Sequence, residues 1–274
     1  MNETLTLRPR LRSKAVRELN AILTIAARDV TLFFKSTGTI IMSLAMPLLM
    51  MGMLGGSLSQ NMAGGLGFNY GKFMLVGMLV NMLFMTTTTG IGSLVEDHFT
   101  DFTQEMMISP ISRYSIVIGK ILGSSFGAIV SMIGTIVVGL VMGISLPIGQ
   151  LLAILLLSPL MCLSAGALAM IVIGLVKSNK TANLAVMLIT MPQMFLSGAI
   201  IPINNSSGAL LILSRIMPMT YCLDLVRAVV YAGTPEYSSV VLFNPAITLA
   251  AIIILTVACL MVGTFFFARS EKNR

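Results

Sequence analysis

Charge is scarce in this chain. Asp, Glu, Lys and Arg make up 10% of it and only ten residues are acidic, against about 25% charged residues in soluble domains. Hydrophobic residues make up 56%, and the mean hydropathy is +0.96. A water-soluble fold has no way to cover that much apolar surface, so the expected class is an all-α polytopic membrane protein. Histidine is scarcer still, with His98 standing alone. That argues against a Ser–His hydrolase inside the membrane and against a metal site built on histidine. The short Gly143-Ile-Ser145 sequence therefore has no base to make it a nucleophile loop. The three cysteines supply no disulfide framework, because Cys162 and Cys259 lie within apolar runs and Cys222 in a different region. No Gly-x-x-x-x-Gly-Lys-Ser/Thr sequence occurs, so the chain does not itself hold ATP on a phosphate-binding loop. The apolar runs also have almost none of the ionisable side chains that ion-coupled transporters and intramembrane enzymes need at depth. Neither a catalytic residue nor a bound metal or cofactor is expected.

What the chain does have is long charge-free intervals. A helix needs about 20 apolar residues to cross the hydrocarbon core. Ser36 to Gly71 holds one span, near residues 39–58, followed by a Gly/Asn-rich loop. Residues 73–95 form the second. Ile121 to Val176 is free of charge and long enough for two spans, near 115–143 and 150–176, broken by the Gly143–Gly149 turn with Pro147. The fifth is expected near 182–203 and the sixth near 245–268. Nothing at the N-terminus reads as a cleaved signal peptide. With both termini inside, 14 of the 17 Lys and Arg fall on inner segments, leaving Lys72, Arg215 and Arg227 outside. The positive-inside rule thus predicts an N-in, C-in arrangement of six spans. The net charge of +7 is accounted for by orientation, with no need of nucleic acid. Before the first span, residues 15–35 place Val16, Leu19, Ile22, Leu23, Ala26, Val30, Phe33 and Phe34 at helical spacing, with Arg17, Arg28 and Lys35 opposite. This predicts an amphipathic helix at the membrane interface, with or without a contact to a cytoplasmic partner.

Four of the ten acidic residues crowd into ten positions, Glu96, Asp97, Asp101 and Glu105, and Ser109-Pro110-Ile111-Ser112-Arg113 follows. Such a segment cannot sit in lipid and suits a protein partner at the membrane face. Within the spans, Thr86-Thr87-Thr88-Thr89 either satisfies itself on its own helix backbone or lines a path. Gly119, Gly123, Gly127 and Ser131, spaced by four, let another helix approach closely, either within the chain or across a dimer. Pro47 and Pro192 are expected to kink the first and fifth spans. The 23 methionines are adaptable apolar filler, or a wall for a ligand. Asp224 and Arg227, three apart, share a helix face and are placed to pair.

Three segments together resemble the permease subunits of ABC-2 type ABC transporters, the group that includes the daunorubicin-type drug-export permeases. Glu96 to Lys120 resembles the family's segment between spans two and three, with its Ser/Thr-Pro-x-Ser-Arg and Gly-Lys motifs. Phe195-Leu-Ser-Gly198-Ala-Ile-Ile-Pro202 resembles its Phe-Leu-Ser-Gly…Pro motif. Met217-Pro218-Met-Thr220-Tyr221-Cys-Leu-Asp224-Leu-Val-Arg227 resembles its Pro-x-Thr-Tyr…Asp…Arg motif. The order and spacing match over essentially the whole chain. One departure stands out: no Lys or Arg lies between 96 and 112, where the family is often richer in arginine.

The resemblance implies a single transmembrane domain over 1–274 in the plasma membrane. It implies a coupling segment, 96–113, that docks on a separate ATPase subunit through Glu96, Asp97, Asp101, Glu105, Pro110 and Arg113. ATP and Mg would be bound by that partner. It further implies an outer gate drawn from Phe195, Gly198, Pro202, Pro218, Tyr221, Asp224 and Arg227, with 204–237 re-entrant, and a second permease copy, identical or similar. The function expected is export of a hydrophobic or amphiphilic substrate, drug-like or lipid-like, multidrug efflux among the possibilities. The alternatives are a non-transporting scaffold or channel, and a lipid-linked glycan exporter of the same fold.

Overall fold

The computed structural model describes residues 14–56, 67–97, 112–175, 179–203 and 208–272. The elements are helices: α1 (Lys14–Lys35), α2 (Thr37–Leu49), α3 (Tyr70–Asp97), α4 (Arg113–Val141), α5 (Ile148–Leu175), α6 (Asn179–Leu196), α7 (Ala209–Ile216), α8 (Pro218–Val230), α9 (Tyr237–Val240) and α10 (Pro245–Lys272). No strand occurs among the described residues. Five stretches are long and apolar enough to cross a bilayer: α2 with its continuation, α3, α4, α5 and the α9–α10 run. The protein is an all-α polytopic membrane protein.

The α2 helix does not stop at Leu49. It continues as π-helix over Met50–Gly55, three residues beyond Pro47. Proline removes a backbone donor and crowds the preceding turn, and a widened winding nearby is a common way to absorb that. The fifth expected span is shorter than the charge-free interval suggested. Helix α6 ends at Leu196, because Gly198 takes φ +84°, a conformation that glycine adopts without a Cβ penalty. Residues 197–203 then run as a turn. The 204–237 region contains α7 and α8, bent by 84° at Met217. Such a pair is either one broken span or a re-entrant loop.

Helix α3 is the hub: most of its apolar stretch is buried, whereas that of α2 is largely uncovered. It packs antiparallel to α4, with Thr86 Oγ1 donating to Ser131 Oγ at 3.3 Å and Leu75 filling the space beside Gly139. Asp97 and Arg113 therefore lie at the same end of the bundle. The core holds Phe73, Leu79, Leu83 and Phe84 of α3 with Met161 and Ala165 of α5 and Leu223 and Val226 of α8. Helix α10 lies along α5, close enough that a Cβ on Gly263 would meet Met170 and Ile171 at about 2.9 Å.

The glycine stripe has its partner within the chain, and that partner is α1. A Cβ at Gly119 would meet Ile22 and Ile25, one at Gly123 would meet Ala26 and Asp29, and one at Gly127 would meet Phe33. Helix α1 is thus packed lengthwise and parallel on the first half of α4. This differs from a helix that rests on lipid alone: Ile22, Ala26 and Phe33 face α4, while Val16, Leu19, Leu23 and Phe34 remain exposed.

Candidate functional site

Two polar centres stand out in this apolar bundle. The first is at the outer end, as the expected orientation has it. Arg227 of α8 is 1% exposed. Its Nη2 donates to the Gly198 carbonyl at 2.7 Å, and its guanidinium lies over the Phe73 ring, 3.7 Å from the centroid. A desolvated cation–π contact of this kind is worth roughly 2 kcal/mol. Asp224, one turn earlier, accepts from the backbone N–H of Leu242 at 2.6 Å and of Phe243 at 3.1 Å, and from the Thr248 hydroxyl at 3.2 Å.

The expected Asp224–Arg227 pair is therefore corrected. Among the described residues no ion pair joins them, and each is buried and spent on the backbone of another element. Lipid offers no partners for backbone groups at a helix end, so a charged side chain that satisfies them is better placed there than in an ion pair. Helix α8 thus fastens the turn after α6 with one residue and the entry to α10 with the other. The turn is held from two further directions. Tyr70 Oη donates to the Ile200 carbonyl at 2.8 Å. At Gly77 the α3 backbone comes so near that a Cβ would lie 1.9 Å from the Ala199 carbonyl oxygen.

Of the expected gate residues, Gly198, Asp224 and Arg227 come together in this knot. Pro218 opens α8 at its first turn, and Tyr221 braces the α7–α8 corner, its Oη donating to the Arg215 carbonyl at 2.7 Å and its ring stacked on Phe243. Pro202 is half-buried in the turn. Phe195 stands apart, exposed on α6 in an open apolar face with Leu184, Met187, Leu188 and Met191.

The second centre is a groove of about 670 Å³ between α1, α2, α3 and α4. One part is polar: Asp29, Ser36, Thr39, Ser43, Thr86, Thr89, Ser93 and Ser124. Another is methionine, with Met42, Met46, Met82 and Met85. The threonine run divides by helical geometry. Thr86 and Thr89 line the groove, while Thr87 and Thr88 are turned into the core. Thr86 bonds across to α4 and not back along its own helix. Beside the groove, Lys120 Nζ donates to Asp29 Oδ1 at 2.9 Å, both largely buried. Close by, the Glu18 carboxylate accepts from the Ser112 N–H at 3.0 Å and from Ser115 Oγ at 2.6 Å, a favourable place for a negative charge at the N-terminus of α4.

The sequence profile described as ABC-2 type transporter matches residues 20–231, a stretch that takes in the groove and, of the outer knot, Gly198, Asp224 and Arg227. The chain belongs to the ABC-2 type transporter family. It is also similar to Nodulation protein J of Rhizobium meliloti (strain 1021), 26% identical over 199 residues, which cover 72% of this chain and 75% of that protein. The chain is accordingly a membrane transport permease subunit, a multi-pass membrane protein of a family that works with an ABC ATPase subunit.

In this ABC-2 permease the expected docking residues Asp101, Glu105 and Pro110 lie outside the described residues. Glu96 and Asp97 fall at the end of α3 and Arg113 at the start of α4, with their side chains outside the description. Sequence reasoning missed Glu18, Asp29, Gly77 and Asn81, and treated Lys120 only as a motif residue and an orientation signal. A signal existed for two of them: Asp29 is an acid on a helix with a strong apolar face, and Lys120 sits at the edge of 56 charge-free residues. Each needed a partner.

Proposed function

We propose that this permease works in an ATP-driven exporter that moves an amphiphilic molecule out across the plasma membrane, with two permease copies and two ATPase subunits. The observation that carries the reading is the groove, whose hydroxyl-rich part suits a polar head and whose methionine-lined part suits an apolar body. The 96–113 segment takes the role of coupling element. In support of it, α3 and α4 end on the same side of the bundle, so a push on the connection reaches the hub helix and the groove together. The Glu18 contact joins α1 to the same point. The acidic character of the segment calls for a basic partner surface. Residues 197–203, held by Arg227, form the outer closure.

The test is purification of this chain from its native membrane in mild detergent. An ATP-hydrolysing subunit in equal amount is expected to come with it. Charge reversal at Asp101→Lys with Glu105→Lys is expected to leave insertion intact and to lower substrate-stimulated hydrolysis at least tenfold. A chain that purifies alone, and whose activity no candidate ATPase restores, contradicts the reading and favours a scaffold or channel.

A further inference from the structure

A second, smaller cavity of about 40 Å³ lies between α2, α3 and α6. It shares Met46, Met82 and Met85 as a wall with the large groove. Seven of its nine lining residues are methionines, and the other two are Asn81 and Thr190. Thr190 donates its hydroxyl to the Val186 carbonyl at 2.9 Å, one turn back on α6. Asn81 is 4% exposed, and its Oδ1 accepts no hydrogen bond. A buried amide oxygen left in that state carries a desolvation penalty that an apolar residue on α3 would not. A water fits the volume but is well held only by about two to four polar partners, and here the Asn81 amide and the Thr190 hydroxyl, whose proton is already given to Val186, are the polar groups of an otherwise methionine lining. A single N–H or O–H on an apolar body matches the site better. Thioether side chains adapt to shape and favour the edges of aromatic rings.

We propose that Asn81 recognises a hydrogen-bond donor on the transported molecule, whose apolar or aromatic body lies in the groove and whose donor tip enters the small cavity past Met46, Met82 and Met85. This deepens, and rests on, the reading of the groove as the transport path. Asn81 is then a specificity-determining residue, and the substrate class narrows from amphiphiles at large to those with a neutral N–H or O–H tip.

The experiment uses the full chain in lipid nanodiscs, with 2-naphthol and 2-methoxynaphthalene as probes and empty nanodiscs as the blank. The ether replaces the donor O–H by O–CH3, and the Asn81 variants separate loss of the donor from the added methyl group. Equilibrium dialysis is expected to show 2-naphthol bound about tenfold more tightly, the discrimination one buried hydrogen bond supplies. Asn81→Leu is expected to bring 2-naphthol down to the level of the ether while leaving the ether unchanged. Asn81→Ala serves if the leucine variant fails to insert. Equal affinity for the two probes in the unsubstituted protein, or saturable binding of neither, overturns the proposal whatever the variants do. No ATPase is needed for this measurement. Its failure leaves the exporter reading standing, and a missing ATPase partner removes that reading without touching the binding result.

Discussion

At the scale of single residues, the charged side chains in the bundle are joints between elements. Asp224 covers two backbone N–H groups where the chain enters α10. Asp224→Ala leaves both unpaired in a buried place, at about 1–3 kcal/mol each. A loss near 3 kcal/mol is expected, read as an earlier onset of thermal aggregation in detergent, with Asp224→Asn losing about half as much. A fall no larger than that of a surface substitution contradicts the joint. Gly77→Ala is the matching test on α3. Its Cβ would lie 1.9 Å from a backbone carbonyl oxygen, which no rotamer change relieves. Overpacking of this kind costs about 1–3 kcal/mol. Because the contact is with the turn that Arg227 holds, transport is expected to fall further than stability. The three-residue spacing of Asp224 and Arg227 was legible in the sequence and suggested a pair. What it could not show is that two backbone ends, 19 residues downstream and 29 upstream, compete for those side chains and win.

At the scale of elements, the central device is α1 clasped on α4. The glycine spacing announced a close helix contact, and the periodicity of 15–35 announced an amphipathic helix. Neither pattern named the other, since the contact joins positions more than ninety residues apart. The clasp predicts that Gly123→Leu displaces α1, because even a Cβ at Gly123 would come within 2.6 Å of the Asp29 Cβ. The readout is a cysteine placed at Ile25, a buried position. It is expected to be inert to a maleimide in the otherwise unsubstituted protein and to label rapidly in the Gly123→Leu background. Equal labelling in both contradicts the clasp. The helix boundaries were readable because charge-free intervals and the Gly143–Pro147 turn bound them. The early end of α6 was not, because Gly198 sits inside an apolar run and only its positive φ reveals the stop.

At the scale of the whole molecule, orientation and coupling each carry a direct expectation. The expected N-in, C-in arrangement, which puts 14 of the 17 basic residues inside, predicts that Ala15→Cys is reached only from the cytoplasm and Ser238→Cys only from outside, using a label that cannot cross membranes. Native Cys222 is fully buried and is not a reporter. The reverse labelling pattern overturns the orientation. The family and the all-α class were legible in the sequence, because membrane spans and Gly/Pro punctuation leave strong local patterns. The groove was hinted at only by Thr86–Thr89, since it is made by four helices that meet in space.

The most direct measurement is transport itself. Inside-out membrane vesicles containing this chain and its ATPase would be supplied with ATP and 2-naphthol-tagged amphiphile. ATP-dependent accumulation, reduced at least tenfold by Asp101→Lys with Glu105→Lys at equal subunit levels, is the predicted result. Vesicles that hold both subunits, hydrolyse ATP and accumulate no amphiphile would contradict the account.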